Sequence, residues 1–192
     1  MSKSREQLEE WVATIDVTNR KVLDVGGSQL PVIKRIKGNA KECLILDLEQ
    51  PHEVKTKPDI VGDIEKWDLP LKYREYFSAV FCLEVMEYLT RPAEALEHIY
   101  NAMEKNGLLF ISFHFIYPVH KPSGRDFLRY TEYGAIKLLN DTGFDTLEIK
   151  TKSLSENSNN AWNRLNEIEG NRKDDSYKLH NTQGVLIKAI KL

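Results

Sequence analysis

Short runs of apolar residues alternate with amphipathic segments along most of the chain. Runs that are apolar at every position predict strands that are buried on both faces, as in a parallel sheet. Because helical patterns separate them, we expect an α/β fold: a doubly wound, Rossmann-like, seven-stranded sheet in three αβα layers, mostly parallel with an antiparallel last strand. The predicted strands are, in chain order, KVLDV, ECLILDL, DIVGDI, SAVFCLEV, LLFISF, FDTLEIKT and GVLIKAIKL.

Helix boundaries are predicted from capping residues. Ser4 is placed to cap an N-terminal helix that has Leu8, Trp11, Val12 and Ile15 at helical spacing. Proline favours the first turn of a helix, and glycine favours the end. The predicted helices are residues 4–18, a helix from Pro31 through Ile36, Pro92 to Met103 closed by Asn106-Gly107, and Thr131 to Leu139 ended by Gly143.

The whole chain, residues 1–192, is predicted to form one domain, with an N-terminal helical segment at 1–19 and an insertion at 152–182 before the last strand. The insertion is polar, but Ala161, Trp162 and Leu165 recur at helical spacing. This pattern predicts a short amphipathic helix. It would serve as a lid over an acceptor pocket or as a dimer contact.

Charge and cysteine content narrow the function classes. The net charge of −2 gives no reason to expect nucleic acid as a partner. No apolar run approaches the roughly 20 residues needed to span a bilayer, and the charged N-terminus does not resemble a signal peptide. Cys43 and Cys82 lie in apolar runs, where small buried hydrophobic residues are expected rather than a disulfide or metal pair. We expect a cytoplasmic protein.

Three acidic residues follow the first three predicted strands, beside a pair of glycines. Gly26 and Gly27 come after the first strand, and glycine lets a ligand approach the backbone closely. Alone, this pair favours a plain tight turn over a ligand site. Asp24, Asp47 and Asp63, however, all lie at carboxyl ends of strands, which meet at the ligand-binding edge of such a sheet.

These segments, in this order, resemble the class I S-adenosylmethionine-dependent methyltransferases, particularly small bacterial members associated with sugar and cell-envelope pathways. The similarity covers about residues 20 to 150: VLDVGGS, LILDLEQP, VGDIEKWDLP, FSAVFCLEVMEYLTRPAEAL, NGLLFISFHFIYPVH and PSGRDFLRYTEYGAIKLLNDTGFD. The resemblance implies S-adenosylmethionine as cofactor, with the glycine turn beside its methionine part, Asp47 on its ribose, Asp63 on its adenine and Glu84 near its sulfonium. The implied cofactor-binding residues are Asp24, Gly26, Gly27, Ser28, Asp47, Leu48, Asp63, Ile64, Leu83 and Glu84.

Two positions depart from the family pattern. Ser28 replaces a further glycine, so the turn is expected to be wider or differently hydrogen-bonded, and Tyr88 stands where many relatives have histidine. These departures keep open the alternative of a non-catalytic binding or regulatory protein with the same fold. A nicotinamide-dependent dehydrogenase is disfavoured, because the later glycines of its G-x-G-x-x-G turn are missing.

Candidate catalytic residues follow the fifth predicted strand. A hydroxyl acceptor benefits from a general base, and His114, His120 and Asp126 are the candidates, with Tyr117 behind them. Arg125 and Arg129 would bind a phosphate or polar sugar, or else form local salt bridges. We expect a small-molecule acceptor, no metal, and homodimerisation as an option.

Overall fold

The computed structural model describes residues 2–121, 124–168, 170 and 182–192. Seven strands form one sheet in the order β3-β2-β1-β4-β5-β7-β6. Strands β1 to β5 pair in parallel, and β7 is antiparallel to both of its neighbours. The strands are β1 Lys21–Val25, β2 Glu42–Asp47, β3 Ile60–Val61, β4 Phe77–Cys82, β5 Met103–His114, β6 Phe144–Ser153 and β7 Thr182–Lys191.

Helices cover both faces of the sheet, which confirms the predicted three-layer arrangement. Helix α1 (Lys3–Val12) packs its apolar side on one face, with Trp11 edge-on to Phe110 of β5. Helices α2 (Pro92–Ala102) and α3 (Glu132–Asp141) pack on the other face. Cys82 is buried in this second layer, and Cys43 is half-buried. Both faces of the central strands are therefore apolar, as the continuous apolar runs predict.

Capping explains where the helices begin. The Thr131 hydroxyl accepts a hydrogen bond from the Gly134 amide, so the predicted cap of α3 is confirmed. In α1 the cap is Ser2, which accepts from Arg5, and the predicted cap Ser4 is buried within the first turn. The helix also ends earlier than expected, at Val12. The apolar spacing continues to Ile15 because that side chain still packs in the core.

The helix predicted from Pro92 is confirmed, whereas the helix predicted after Pro31 and the helix end predicted at Asn106-Gly107 are wrong. The segment after Pro31 forms a single 3-10 turn, Val32–Lys34, rather than a helix to Ile36. Helix α2 ends at Ala102, and β5 begins at the next residue. Asn106-Gly107 is therefore a bulge within β5, where Asn106 has φ +62° and the pairing with β4 shifts register. A left-handed residue such as Asn106 serves a bulge as well as a helix end.

The amphipathic helix predicted in the 152–182 segment is confirmed as α4, Glu156–Ile168. Trp162 and Leu165 face a cavity of about 510 Å³ that Ile116 and Pro118 also line. Residues 169 and 171–181 of the predicted insertion lie outside the described residues. Among the helices that the structure describes, none is long and apolar enough to cross a bilayer.

Candidate active site

A cavity of about 730 Å³ lies at the carboxyl ends of β1, β2 and β4. This is where the strand order of a doubly wound sheet reverses, between β1 and β4, and where such a sheet binds its ligands. Six of the predicted cofactor-binding residues line it: Gly26, Asp47, Leu48, Asp63, Ile64 and Glu84. Leu83 instead packs against the core layer under α1. Asp24, Gly27 and Ser28 lie behind the cavity wall and shape the turn.

The glycine turn leaves no room for side chains. Gly26 has φ +76°, and a Cβ there would lie 2.6 Å from Cγ2 of Val85. A Cβ on Gly27 would lie 2.2 Å from the Asp24 carboxylate. That carboxylate accepts a hydrogen bond of 2.7 Å from the Val32 amide, and burial raises its pKa to about 7. Asp24 therefore stabilises the glycine turn through its hydrogen bond with the Val32 amide.

Ser28 contacts neighbouring segments through its backbone. Its amide donates to Oδ2 of Asp47 at 3.0 Å, and its carbonyl accepts from the amides of Lys55 and Thr56. The other Asp47 oxygen accepts from Leu48. The Ser28 side chain is fully buried, and its hydroxyl has no partner among the described residues. The Ser28 backbone thus connects the first turn to Asp47, the last residue of β2.

The turn after β3 is held by Asp63, whose carboxylate accepts from the Glu65 amide at 3.0 Å. Ile64 and Trp67 are buried beside it. Glu65 in turn accepts from Thr90 at the start of α2. These hydrogen bonds connect the turn after β3 to the segment that leads into α2.

Glu84 is held in place by contacts with three residues of the sheet. It follows β4 in a left-handed conformation (φ +58°), which costs free energy for a non-glycine residue. Its amide donates to Oγ of Ser112, and its carboxylate contacts Nε2 of His114 at 2.9 Å and Nζ of Lys152 at 3.2 Å. Burial alone raises the pKa of this carboxyl, but His114 and Lys152 outweigh burial and hold the pKa well below its usual range.

The two candidate histidines meet at Glu87. The side chain of Glu87 is fully buried, and its Oε1 lies 3.3 Å from Nε2 of His114 and 3.2 Å from Nδ1 of His120. Its Oε2 has no partner among the described residues. Burial lowers the pKa of His114, but Glu84 and Glu87 outweigh it, so the pKa is raised. His114 is fully buried, whereas the side chain of His120 is 22% exposed and lines the cavity.

Glu87, His114 and His120 bring three ligand-type atoms within 4.8 Å of one another. This spacing is compatible with a metal ion. However, the Lys152 ammonium lies 3.3 Å from Nδ1 of His114, which favours a proton on Nε2, where a metal would need a lone pair. We therefore do not assign these residues as metal ligands, and the expectation of no metal stays a prediction.

Asp126 is bound to other groups. Its carboxylate pairs with Arg129, the guanidinium of which also donates to the carbonyls of Tyr117 and Pro118. The hydrogen bond from Arg129 lowers the Asp126 pKa to about 2. Of the two roles left open for this cluster, Asp126 and Arg129 form the local salt bridge. Arg125 lines the cavity instead.

Sequence reasoning did not select Glu87 or Lys152. Glu87 carried a signal: it is an acidic residue inside the apolar stretch VMEYL, three positions after Glu84. Lys152 carried none, because its segment alternates between charged and apolar residues like any half-exposed strand.

Comparison with known proteins agrees with this geometry. Residues 2–148 match the family model described as a methyltransferase domain. The chain belongs to this methyltransferase family. No curated protein sequence gives a significant match.

Solved methyltransferases share the fold. An S-adenosylmethionine-dependent methyltransferase from Mesorhizobium loti is 14% identical, with a TM-score of 0.64 and 98% of each chain covered. One from Archaeoglobus fulgidus is 17% identical, with a TM-score of 0.62 and coverage of 98% of this chain and 92% of that one. Phosphoethanolamine N-methyltransferase 2 of Haemonchus contortus, solved with S-adenosylmethionine, is 11% identical, with a TM-score of 0.57 and coverage of 98% and 52%.

The residues present fit S-adenosylmethionine, the cofactor that the sequence resemblance implies. The glycine turn brings bare backbone to the cavity, which Asp47 and Asp63 also line. Glu84 offers an ionised carboxylate, which suits a sulfonium cation. The contacts that individual residues make with the cofactor remain predictions.

Proposed function

We propose that this methyltransferase transfers the methyl group of S-adenosylmethionine to a small polar acceptor, such as a sugar or cell-envelope precursor. One observation carries the proposal: a single cavity is lined by Gly26 of the glycine turn, by acidic residues, and by His120, Tyr117 and Arg125. The cofactor supplies an activated methyl group. The protein has to align the acceptor with it, and alignment of this kind supplies much of a rate enhancement.

His120 is the base that the geometry favours. Its Nδ1 faces the buried carboxylate of Glu87, so the proton on Nδ1 is held there and Nε2 keeps a lone pair. Such a nitrogen accepts a proton from a hydroxyl or amine of the acceptor as the new bond forms. His114 has no exposed surface, and Asp126 is paired with Arg129, so neither is as well placed.

An anionic group on the acceptor is supported by the charge of the cavity rim. Lys121 and Arg125 line the cavity, and neither forms a salt bridge within the described part of the chain. Arginine forks bind oxyanions well. Tyr88 and Tyr117 add aromatic surface on which a sugar ring packs. These features favour a phosphorylated sugar over a neutral one.

Calorimetry with S-adenosylmethionine and S-adenosylhomocysteine tests the first part of the proposal. No binding at about millimolar cofactor would refute it. For the second part, S-adenosylhomocysteine release is measured with a panel of sugar phosphates and the matching free sugars. Turnover on the phosphorylated members is expected. Binding without turnover on any member would favour the non-catalytic alternative that Ser28 and Tyr88 raised.

The role of His120 is tested in the H120Q variant. We expect kcat to fall about 10²- to 10⁴-fold, because a general base contributes by that factor, with cofactor affinity unchanged. Unchanged kcat would remove His120 as the base.

A further inference from the structure

Three residues on adjacent strands form one row across the sheet beside the active site. His114 of β5 pairs with Gly184 of β7, and Gly184 pairs with Lys152 of β6. Directly opposed residues in antiparallel strands project from the same face, and two strand spacings amount to roughly 10 Å. The central position has no side chain, so the lysine side chain spans it and brings Nζ within 3.3 Å of His114 Nδ1.

The central position of this row accepts no other residue. Gly184 has φ +152°, and a Cβ there would lie 2.0 Å from the carbonyl oxygen of Phe113. Because Gly184 has no side chain, it leaves the space on the sheet that the Lys152 side chain occupies.

Stability alone is a weak reason for a lysine here. Lys152 is fully buried, and its ammonium pairs with Glu84 at 3.2 Å. Desolvating both charges costs about as much free energy as their attraction returns, and apolar residues of similar size are often as stable or more so. The charge itself therefore needs another explanation.

The groups around His114 supply one. Glu84 and Glu87 face it from the turn after β4, His120 and Tyr117 from the loop after β5, and Lys152 from β6. The two carboxylates favour a second proton on the imidazole, whereas an ammonium beside Nδ1 opposes it. An ammonium does not normally titrate near neutral pH, but an imidazolium does.

We propose that Lys152 is a positioning residue of the cofactor site, reaching across Gly184 to supply a fixed positive charge that keeps Glu84 ionised and His114 protonated on Nε2. The proposal rests on the proposed function in one respect, that Glu84 faces the cofactor sulfonium. With the lysine present, uptake of the second proton by His114 is opposed, so the charge beside the sulfonium changes less through neutral pH than it would without the lysine. Without it, His114 takes up the second proton at higher pH.

The first test reads the histidine directly in the full-length protein. Long-range ¹H–¹⁵N correlation spectra are recorded from about pH 5 to about pH 9. In the wild type we expect neutral His114 to be protonated on Nε2. In K152M we expect the His114 pKa to rise by about one unit or more, because a neighbouring charge shifts a pKa by that much. A neutral form protonated on Nδ1, or an unchanged titration in K152M, would overturn the proposal.

Two variants serve as controls. K191M removes another buried lysine of the sheet, which contacts the carbonyls of Tyr100 and Met103, and we expect no change at His114. K152R keeps the charge and is expected to titrate like the wild type; a shift as large as that in K152M would count against the proposal. If K152M does not fold, the wild-type tautomer and K152R still decide the question.

The second test links the charge to the cofactor. Protons released on binding are measured by calorimetry in buffers of different ionisation enthalpy. K152M is expected to release more protons than the wild type with S-adenosylmethionine, since the sulfonium repels the new imidazolium, but not with neutral S-adenosylhomocysteine. Equal release by both proteins would contradict the role.

Failure of the two proposals can be told apart. A wild type that binds no cofactor refutes the proposed function but leaves the titration of His114 interpretable. Adding Zn²⁺ alone tests the competing arrangement. If Zn²⁺ shifts the ¹⁵N resonances of His114 and His120 together, the cluster of Glu87, His114 and His120 binds metal, and the role proposed for Lys152 is wrong.

Discussion

Asp24 makes folding stability depend on pH in an unusual direction. It is buried, and its pKa is raised from 3.8 to about 7, so the native state binds this proton more tightly than the unfolded chain does. The resulting stabilisation is complete below about pH 4 and is lost as the pH rises to about 7. At about 1.4 kcal/mol for each pKa unit, the loss is about 4 kcal/mol.

The D24N variant tests this reasoning. Asparagine keeps an oxygen to accept from Val32 but cannot ionise, so D24N should gain up to about 4 kcal/mol relative to the wild type between about pH 4 and about pH 8. Urea unfolding followed by the fluorescence of buried Trp11 and Trp67 measures the difference. D68N, at an exposed position, is the control. Parallel stability profiles for D24N and the wild type would refute the assignment.

Two further substitutions test the turn and a helix cap. G27A places a Cβ 2.2 Å from the Asp24 carboxylate, so the turn has to shift. If this shift costs about 1.4 kcal/mol of binding free energy, calorimetry should show at least tenfold weaker S-adenosylmethionine binding. Wild-type affinity in G27A would show that the turn is not tight. T131A removes the hydroxyl that accepts from Gly134 and should lower the free energy of unfolding by about 1 kcal/mol in urea, whereas no change would mean that the cap is not needed.

Most of the sheet could be predicted because its strands are apolar on both faces. Continuous runs such as residues 77–82 leave little choice of structure, and strand order then brings Asp47, Asp63 and Glu84 to one edge. Thr131 could be predicted as a helix cap because a capping side chain bonds to an amide in the first turn of its own helix.

Features decided by pairing at a distance could not be predicted. Asn106-Gly107 allows either a helix end or a bulge, and the register of β4 against β5 decides between them. Lys152 contacts Glu84 only because β7 lies between β5 and β6 with a glycine in the shared row. Asp126 offered a free carboxylate in the sequence, but the structure pairs it with Arg129.

The first turn of α1 has a practical consequence. Ser2 and Arg5 line the larger cavity, so the first turn of α1 lies beside the ligand site. An affinity tag fused next to this turn would compete with the cofactor or acceptor for space. Leu192, at the other end, is 66% exposed and does not line the cavity, so tags and immobilisation linkers for binding assays belong at the carboxyl terminus.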